Sequence, residues 1–223
     1  MSKLMLPLAG IGGASAAGLG GYMLMKWNEK APVIQKEETF RTKYSQAILG
    51  DTDDLWNTKF SALKGTGQPS HQKLKDAKTK SGVSGSETEA KELHKQGCKE
   101  IYDSEIKSSP YLTDFQTYCS KTIKDATTGS KNWISSEAGS TTGDWDSQLT
   151  KLKSHDEANK GALDSKLKTL VDKLKQDSHS VDEADRKAIK EWCDSTQKEI
   201  FMGESDHRFS HSQLYCIKGA EQQ

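Results

Sequence analysis

Beyond residue 30, apolar positions fall at helical spacing along most of the chain. Phe40, Tyr44 and Ile48 lie four apart, and Trp56 is followed by Phe60 and Leu63 at offsets of four and seven. Such offsets place side chains on one face of an α-helix. The second half repeats the device: Trp145, Leu149 and Leu152 keep the same offsets, and Leu163, Leu167, Leu170 and Leu174 extend the stripe. Asp156 and Asn159 interrupt its apolar face, and Gly161 weakens a helix by about 1 kcal/mol relative to Ala. One long helix and two coaxial pieces fit this stripe equally. A further short helix is expected around Leu74. No run of alternating β-branched residues marks a strand, so the pattern predicts a mainly α fold.

The same features recur in order over residues 50–119 and 140–216. Each stretch opens with an acidic residue beside a Trp (Asp54-Leu55-Trp56, Asp144-Trp145) and continues with the apolar stripe. A capping-box pattern follows, Ser86-Glu87-Thr88-Glu89 in one and Ser180-Val181-Asp182-Glu183 in the other; in such a box the Ser oxygen and the Glu carboxylate satisfy free amides of the first turn. The helices starting there carry Cys98 and Cys193, and each stretch closes on Tyr118-Cys119 or Tyr215-Cys216. Five features in one order point to an internal duplication. The expected organisation is an N-terminal membrane anchor (1–30), a first helical unit (31–124), a Ser/Thr/Gly-rich linker (125–143) and a second, related helical unit (144–223). Trp133 and Ile134 are placed to pin the middle of the linker to a helix.

The anchor rests on Leu4 to Met25, a stretch without a charged residue, flanked by Lys3 on one side and Lys26, Glu29 and Lys30 on the other. At 1.5 Å per residue, a helix of this length spans about 30 Å, the thickness of a bilayer core. Tyr22 and Trp27 sit where amphipathic rings favour the membrane interface. Gly13, Ala17 and Gly21 form a small-residue row that allows close helix pairing, although such a row is also ordinary in a Gly/Ala-rich anchor. A cleaved signal peptide, with Ala14-Ser15-Ala16 as its site, is a competing reading, and a Gly-rich loop is another. Apolar residues continue well past the cleavage site, so a retained single-pass helix is expected. A lipid anchor is excluded because the first cysteine is Cys98.

Composition narrows the function. Leu, Ile, Val and Phe make up 37 of the 223 residues, a thin supply for a core. Thirty-two basic residues balance 32 acidic ones, and only Arg41, Arg186 and Arg208 are arginines. A nucleic-acid role is not expected, because phosphate binding needs a basic surplus and favours the planar guanidinium. Four cysteines permit three connectivities. The repeat favours Cys98–Cys119 and Cys193–Cys216, each closing its own unit in an oxidising compartment; four reduced, buried cysteines are the alternative.

Chemistry-bearing motifs are scarce. The chain has no phosphate-binding Gly-rich loop, nucleophile elbow or H-E-x-x-H helix. Asp51–Asp54 and Asp182–Asp185 fit helix N-termini, where carboxylates face the dipole favourably. His207 and His211 lie between Cys193 and Cys216, at a spacing that zinc can use. No histidine lies between Cys98 and Cys119 and no C-x-x-C pair occurs, so neither metal nor cofactor is expected. His71, His94, His155 and His179 stand alone in polar stretches and are expected to be solvated.

The layout of a Met1-Ser2-Lys3-Leu4 start, a Gly/Ala-rich anchor to Met25, and a Lys/Ser/Asp-rich body containing Ile189-Lys190-Glu191-Trp192-Cys193 and Leu214-Tyr215-Cys216 resembles the expanded paralogous proteins of haemotropic mycoplasmas. Gly97, where the second unit has Trp192, departs from the pattern. The resemblance implies a membrane-anchored, surface-displayed protein of unknown biochemical activity with a role in host contact or antigenic diversity. It supplies no catalytic residues. The missing catalytic motifs make a non-enzymatic protein that binds a host surface molecule the expectation. The alternative is an inward-facing structural membrane protein that scaffolds partners, which predicts free thiols.

Overall fold

The computed structural model describes residues 37–128, 131–139 and 143–218. The expected anchor at residues 4–25 lies outside these; among the described residues no helix is long and apolar enough to cross a membrane. The fold is mainly α. In chain order come α1 (Phe40–Lys43), a 3-10 turn (Ser45–Ala47), α2 (Leu55–Lys64), α3 (Gln72–Ser81), α4 (Glu87–Asp103), and α5 (Leu112–Asp114), which runs into a π turn at Phe115–Cys119. Then follow α6 (Ile123–Ala126), β1 (Asn132–Trp133), α7 (Asp144–Lys153), α8 (Glu157–Lys160), α9 (Ser165–Leu174), α10 (Glu183–Thr196), α11 (His207–Tyr215) and β2 (Ile217–Lys218).

Two apolar clusters form the interior. One gathers Phe40, Trp56, Phe60, Leu74, Ile101 and Phe115 around Cys98 and Cys119. The other gathers Trp145, Leu149, Leu152, Leu170, Ile189 and Trp192 around Cys193 and Cys216. The cysteines are bonded as Cys98–Cys119 and Cys193–Cys216. Trp56 and Trp145 are each anchored by the indole N–H, which donates to a backbone carbonyl upstream: Trp56 to Gly50 at 2.6 Å and Trp145 to Ser136 at 2.8 Å. Beyond its second cysteine each stretch pairs antiparallel with the segment ahead of its tryptophan. Ser120 bridges Ile48, and Ile217 pairs with Trp133.

Several local expectations are corrected. The Leu149–Leu174 stripe is neither one helix nor two coaxial pieces, because α7 and α9 pack against each other. Gly161 permits the reversal by adopting φ +82°, a left-handed conformation that side chains resist. The cap of α10 is not Ser180 but Asp182, whose carboxylate accepts the Asp185 amide while Asp185 reaches back to the Asp182 amide. Ser86 does precede α4, yet its side chain makes no capping bond. Phe40 begins a single helical turn, which passes through the 3-10 turn to an extended Ile48. Trp133 and Ile134 do pack against the helices of the second cluster, but their backbone pairs with the strand after Cys216; the Ile134 amide donates to the Cys216 carbonyl at 2.9 Å.

Glycine and tryptophan at matching positions shape the two helix hairpins differently. Gly97 precedes Cys98 and lets α3 lie close against α4: a Cβ there would come within 3.0 Å of Leu74 Cδ2 and 3.2 Å of Lys73 Cβ. Trp192 precedes Cys193 and sits buried between α9 and α10, its indole N–H donating to the Asp164 carboxylate.

Residues 121–124 join the two clusters. The Ile123 amide donates to Glu199 at 2.9 Å, the Lys124 amide to Gln197 at 3.0 Å, and the Phe201 amide to Lys121 at 3.0 Å, while Thr122 bridges Ile200. Gln116 adds a side-chain bond to the Lys198 carbonyl. Asp125, which the sequence places at the start of a linker, completes a capping box with Thr122 and pairs with Lys59 at 2.6 Å. Burial pushes the Asp125 carboxyl up, but the bonds from Lys59 and Thr122 outweigh it and hold the group below the usual carboxylate range. Both clusters therefore belong to one compact body that begins at Glu37.

Three substitutions test this packing. Asp125→Ala strands the ammonium of Lys59, whose side chain is 7% exposed, and is expected to cost about 3 kcal/mol in urea unfolding. Arg41→Ala removes an exposed pair with Asp103 and should cost no more than about 1 kcal/mol. Gly97→Leu should lower stability by about 3 kcal/mol through overpacking against Leu74.

Candidate functional site

The side chains richest in chemical possibility lie where the loop ahead of α2 faces α4. The turn Asp51–Asp54 launches α2, with Asp53 Oδ1 accepting the Leu55 amide at 3.0 Å. From α4, residues spaced at three and four (Thr88, Lys91, Glu92, Lys95) face that turn, as expected for one helical face. Between them lies a cleft of about 360 Å³ with Trp56 and His94 on its wall. Lys99 reaches across to Asp51 at 2.8 Å and holds its carboxyl below the usual range. The Lys95 ammonium lies 5.5 Å from the centre of the Trp56 ring, a cation–π distance.

His94 is 1% exposed. Its ring meets Trp56 edge-on at 5.4 Å and Phe60 at 5.8 Å. Nε2 lies 2.8 Å from the Tyr118 carbonyl; a carbonyl only accepts, so this nitrogen carries the proton. Burial pushes the imidazole pKa down to about 4, against the opposing pull of the Tyr118 carbonyl. His94 is therefore neutral at pH 7. One helical turn further along α4 sits Cys98, bonded to Cys119.

His94, Cys98 and Cys119 form a group of ligand-type atoms lying within 4.8 Å of one another, all three residues buried. A search for histidines between the cysteines passes over it, because His94 precedes Cys98. The signal in the sequence is the H-x-x-x-C spacing, which stacks the two side chains on one helix face. Bonded to each other, the two sulfurs offer no thiolate. Likewise, Cys193 and Cys216 are consumed in their own bond, and His211 Nε2 binds the Lys160 carbonyl at 2.9 Å.

The expectation of solvated histidines is wrong for His71, His94 and His155, which are buried. His94 and His155 are inside because their rings serve backbone carbonyls that need partners. His155 bridges the Gly161 carbonyl at 2.8 Å and the Tyr215 hydroxyl at 2.6 Å. His71 heads α3 and meets Tyr111 edge-on at 4.8 Å. His179 is held against Asp185 at 2.6 Å.

Two buried carboxylates are likewise committed. Asp114 accepts the amides of Ser70 and His71 at 2.8 and 2.7 Å. Asp185 accepts from Lys173, His179 and the Asp182 amide. Burial raises the Asp185 carboxyl, yet these donors hold it below the ordinary range. An acid engaged in this way is a structural anchor, poorly placed to exchange protons with a substrate.

No family model, curated protein or solved structure matches this chain.

Burial fixes how acid should act on stability. Burial also lowers the pKa of His71 and His211. From about pH 6.5, the ordinary imidazole value, down to about 4, the unfolded chain binds protons that folded His94 refuses. Stability should fall across this window, with up to about 3 kcal/mol of the loss traceable to His94. Urea midpoints measured at pH 7 and pH 4.5 should separate less in His94→Ile than in the wild type.

Proposed function

We propose that this chain is a membrane-anchored protein displayed outside the cell that works by binding, not by catalysis, and that its body arose by duplication of one helical unit. The observation that carries this reading is the pair of disulfides, one in each apolar cluster. Structural disulfides persist in oxidising surroundings and are rare in reducing ones. The recurrence of a Trp-bearing helix, a helix carrying the first cysteine and a closing second cysteine supports the duplication. Its partner is a protein at the host surface, in keeping with the resemblance drawn from Trp192-Cys193 and Tyr215-Cys216.

Among the described residues the exposed large apolar side chains, Val83, Leu112, Val181 and Met202, are scattered singly along the chain, which is ordinary for a protein surface. Recognition is therefore expected to be polar. A groove of about 500 Å³ at the joint, lined by Gln116, Thr122, Lys124, Gln197 and Lys198 among others, supplies amides, hydroxyls and ammonium groups for it.

Protease treatment of intact cells tests display: the body should be digested while cytosolic markers survive, and full protection would reject it. Thiol labelling of the native chain before and after reduction should reveal cysteines only in the reduced sample. Four thiols reactive without reductant would instead favour the inward-facing scaffold.

A further inference from the structure

We propose that the Cys98–Cys119 disulfide is the closed form of a zinc site, and that reduction opens it to bind one Zn²⁺ through both sulfurs and His94. The ligand-type atoms of the three residues already lie within 4.8 Å of one another. Donors around a tetrahedral zinc ion stand roughly 3.5–3.8 Å apart, given Zn–S of about 2.3 Å and Zn–N of about 2.0 Å. Once the S–S bond is broken, parting of the sulfurs and an approach of the imidazole by about 1 Å are enough to seat the ion. Three protein ligands leave a fourth position for water, as in zinc sites of the open kind.

Charge favours zinc in this place. Two thiolates and a neutral imidazole exactly balance a divalent cation, so the occupied site is uncharged. An uncharged centre avoids the large penalty of burying a net charge among residues that are 0–1% exposed. Thiolate and imidazole donors also match the preferences of this ion. The cleft of about 360 Å³ that His94 lines offers a way in, and it carries Asp51, Asp53, Asp54 and Glu92 alongside Lys91 and Lys95.

The chemistry balances. A dithiol gives two electrons and two protons to the disulfide and leaves as its own cyclic disulfide, so Cys98 and Cys119 become thiols. Zinc then displaces both thiol protons to solvent as the two S–Zn bonds form, and the imidazole stays neutral, its one proton on the ring nitrogen that does not bind the ion.

The second half is a built-in control. Ile189 stands one turn ahead of Cys193, where His94 stands ahead of Cys98, and it is fully buried. The Cys193–Cys216 pair therefore has the sulfurs without the nitrogen, and the assignment is confined to the first half.

The test uses the full chain, reduced with a dithiol that is then removed by anaerobic gel filtration. Zn²⁺ should bind with one equivalent per chain in competition with a chromophoric chelator, and Co²⁺ should give a thiolate charge-transfer band. Zn²⁺ should shield Cys98 and Cys119 from alkylation, read by peptide mass mapping, and leave Cys193 and Cys216 as reactive as without metal. His94→Ile should bind at least about tenfold more weakly, and Ile189→His should add a second equivalent. The proposal is overturned by equal shielding of all four cysteines, by unchanged affinity in His94→Ile, or by the same zinc uptake in the oxidised chain. A reduced chain that loses its helical circular dichroism and does not regain it with Zn²⁺ rejects it as well.

Discussion

Cys98 sits within α4 and Cys119 at the end of the π turn that follows, so their bond clamps a helix to the segment that must close over it. Cys193 and Cys216 do the same for α10 and the end of α11. Each bond spans just over twenty residues, and a loop of that length stabilises a fold by on the order of 3 kcal/mol in the chain-entropy account. For a chain with so few aliphatic residues this is a large share of the 5–15 kcal/mol that ordinary domains possess. The aromatic residues are placed to make the most of it: Phe40, Tyr102 and Phe115 pack ring to ring beside the first bond, and the Tyr102 hydroxyl donates to the Cys119 carbonyl.

Around each clamp, buried polar side chains complete backbone groups that a richer core would bury in regular structure. The two halves solve the same problem with opposite chemistry. Five residues before the closing cysteine, the first half has Asp114, which accepts amides ahead of α3, whereas the second has His211, which donates to the Lys160 carbonyl ahead of α9. The residue heading the helix is exchanged in step. His71 heads α3, and Asp164 heads α9, where it caps the Lys166 and Leu167 amides. An acceptor and a donor have changed places, and in each half the buried group ends up satisfied.

Much of this was legible in the sequence, for identifiable reasons. The stripes Trp56–Phe60–Leu63 and Trp145–Leu149–Leu152 lie on α2 and α7, and a helix forms around Leu74 as its position implies. Periodicity reports which face of a helix is covered, and here it did. It does not report polar residues that are buried because they hold a carbonyl, and this hid His94 and His155. Nor does it report contacts made by the backbone alone. The joint of residues 121–124 with 197–201 uses amides and carbonyls common to every residue, so nothing in Lys-Thr-Ile-Lys marks it as a contact. The His94–Cys98–Cys119 group is hidden for a different reason: the histidine lies outside the cysteine loop in sequence, and helical geometry brings it in.

The joint has a mechanical side. A chain held at one end and pulled at the other transmits force through its shortest covalent route. Each sulfur bridge removes the residues it encloses from that route, and together they withhold roughly 150 Å of slack at about 3.5 Å per extended residue. Gln197 to Phe201, half of the joint, lie inside the second enclosed stretch and so are spared direct tension. Lys121 to Lys124, the other half, lie in the load path between the two bridges. Under a steady pull the joint would therefore be loaded from one side only, and the stretches enclosed by the two bridges could not lengthen while their sulfurs stay bonded.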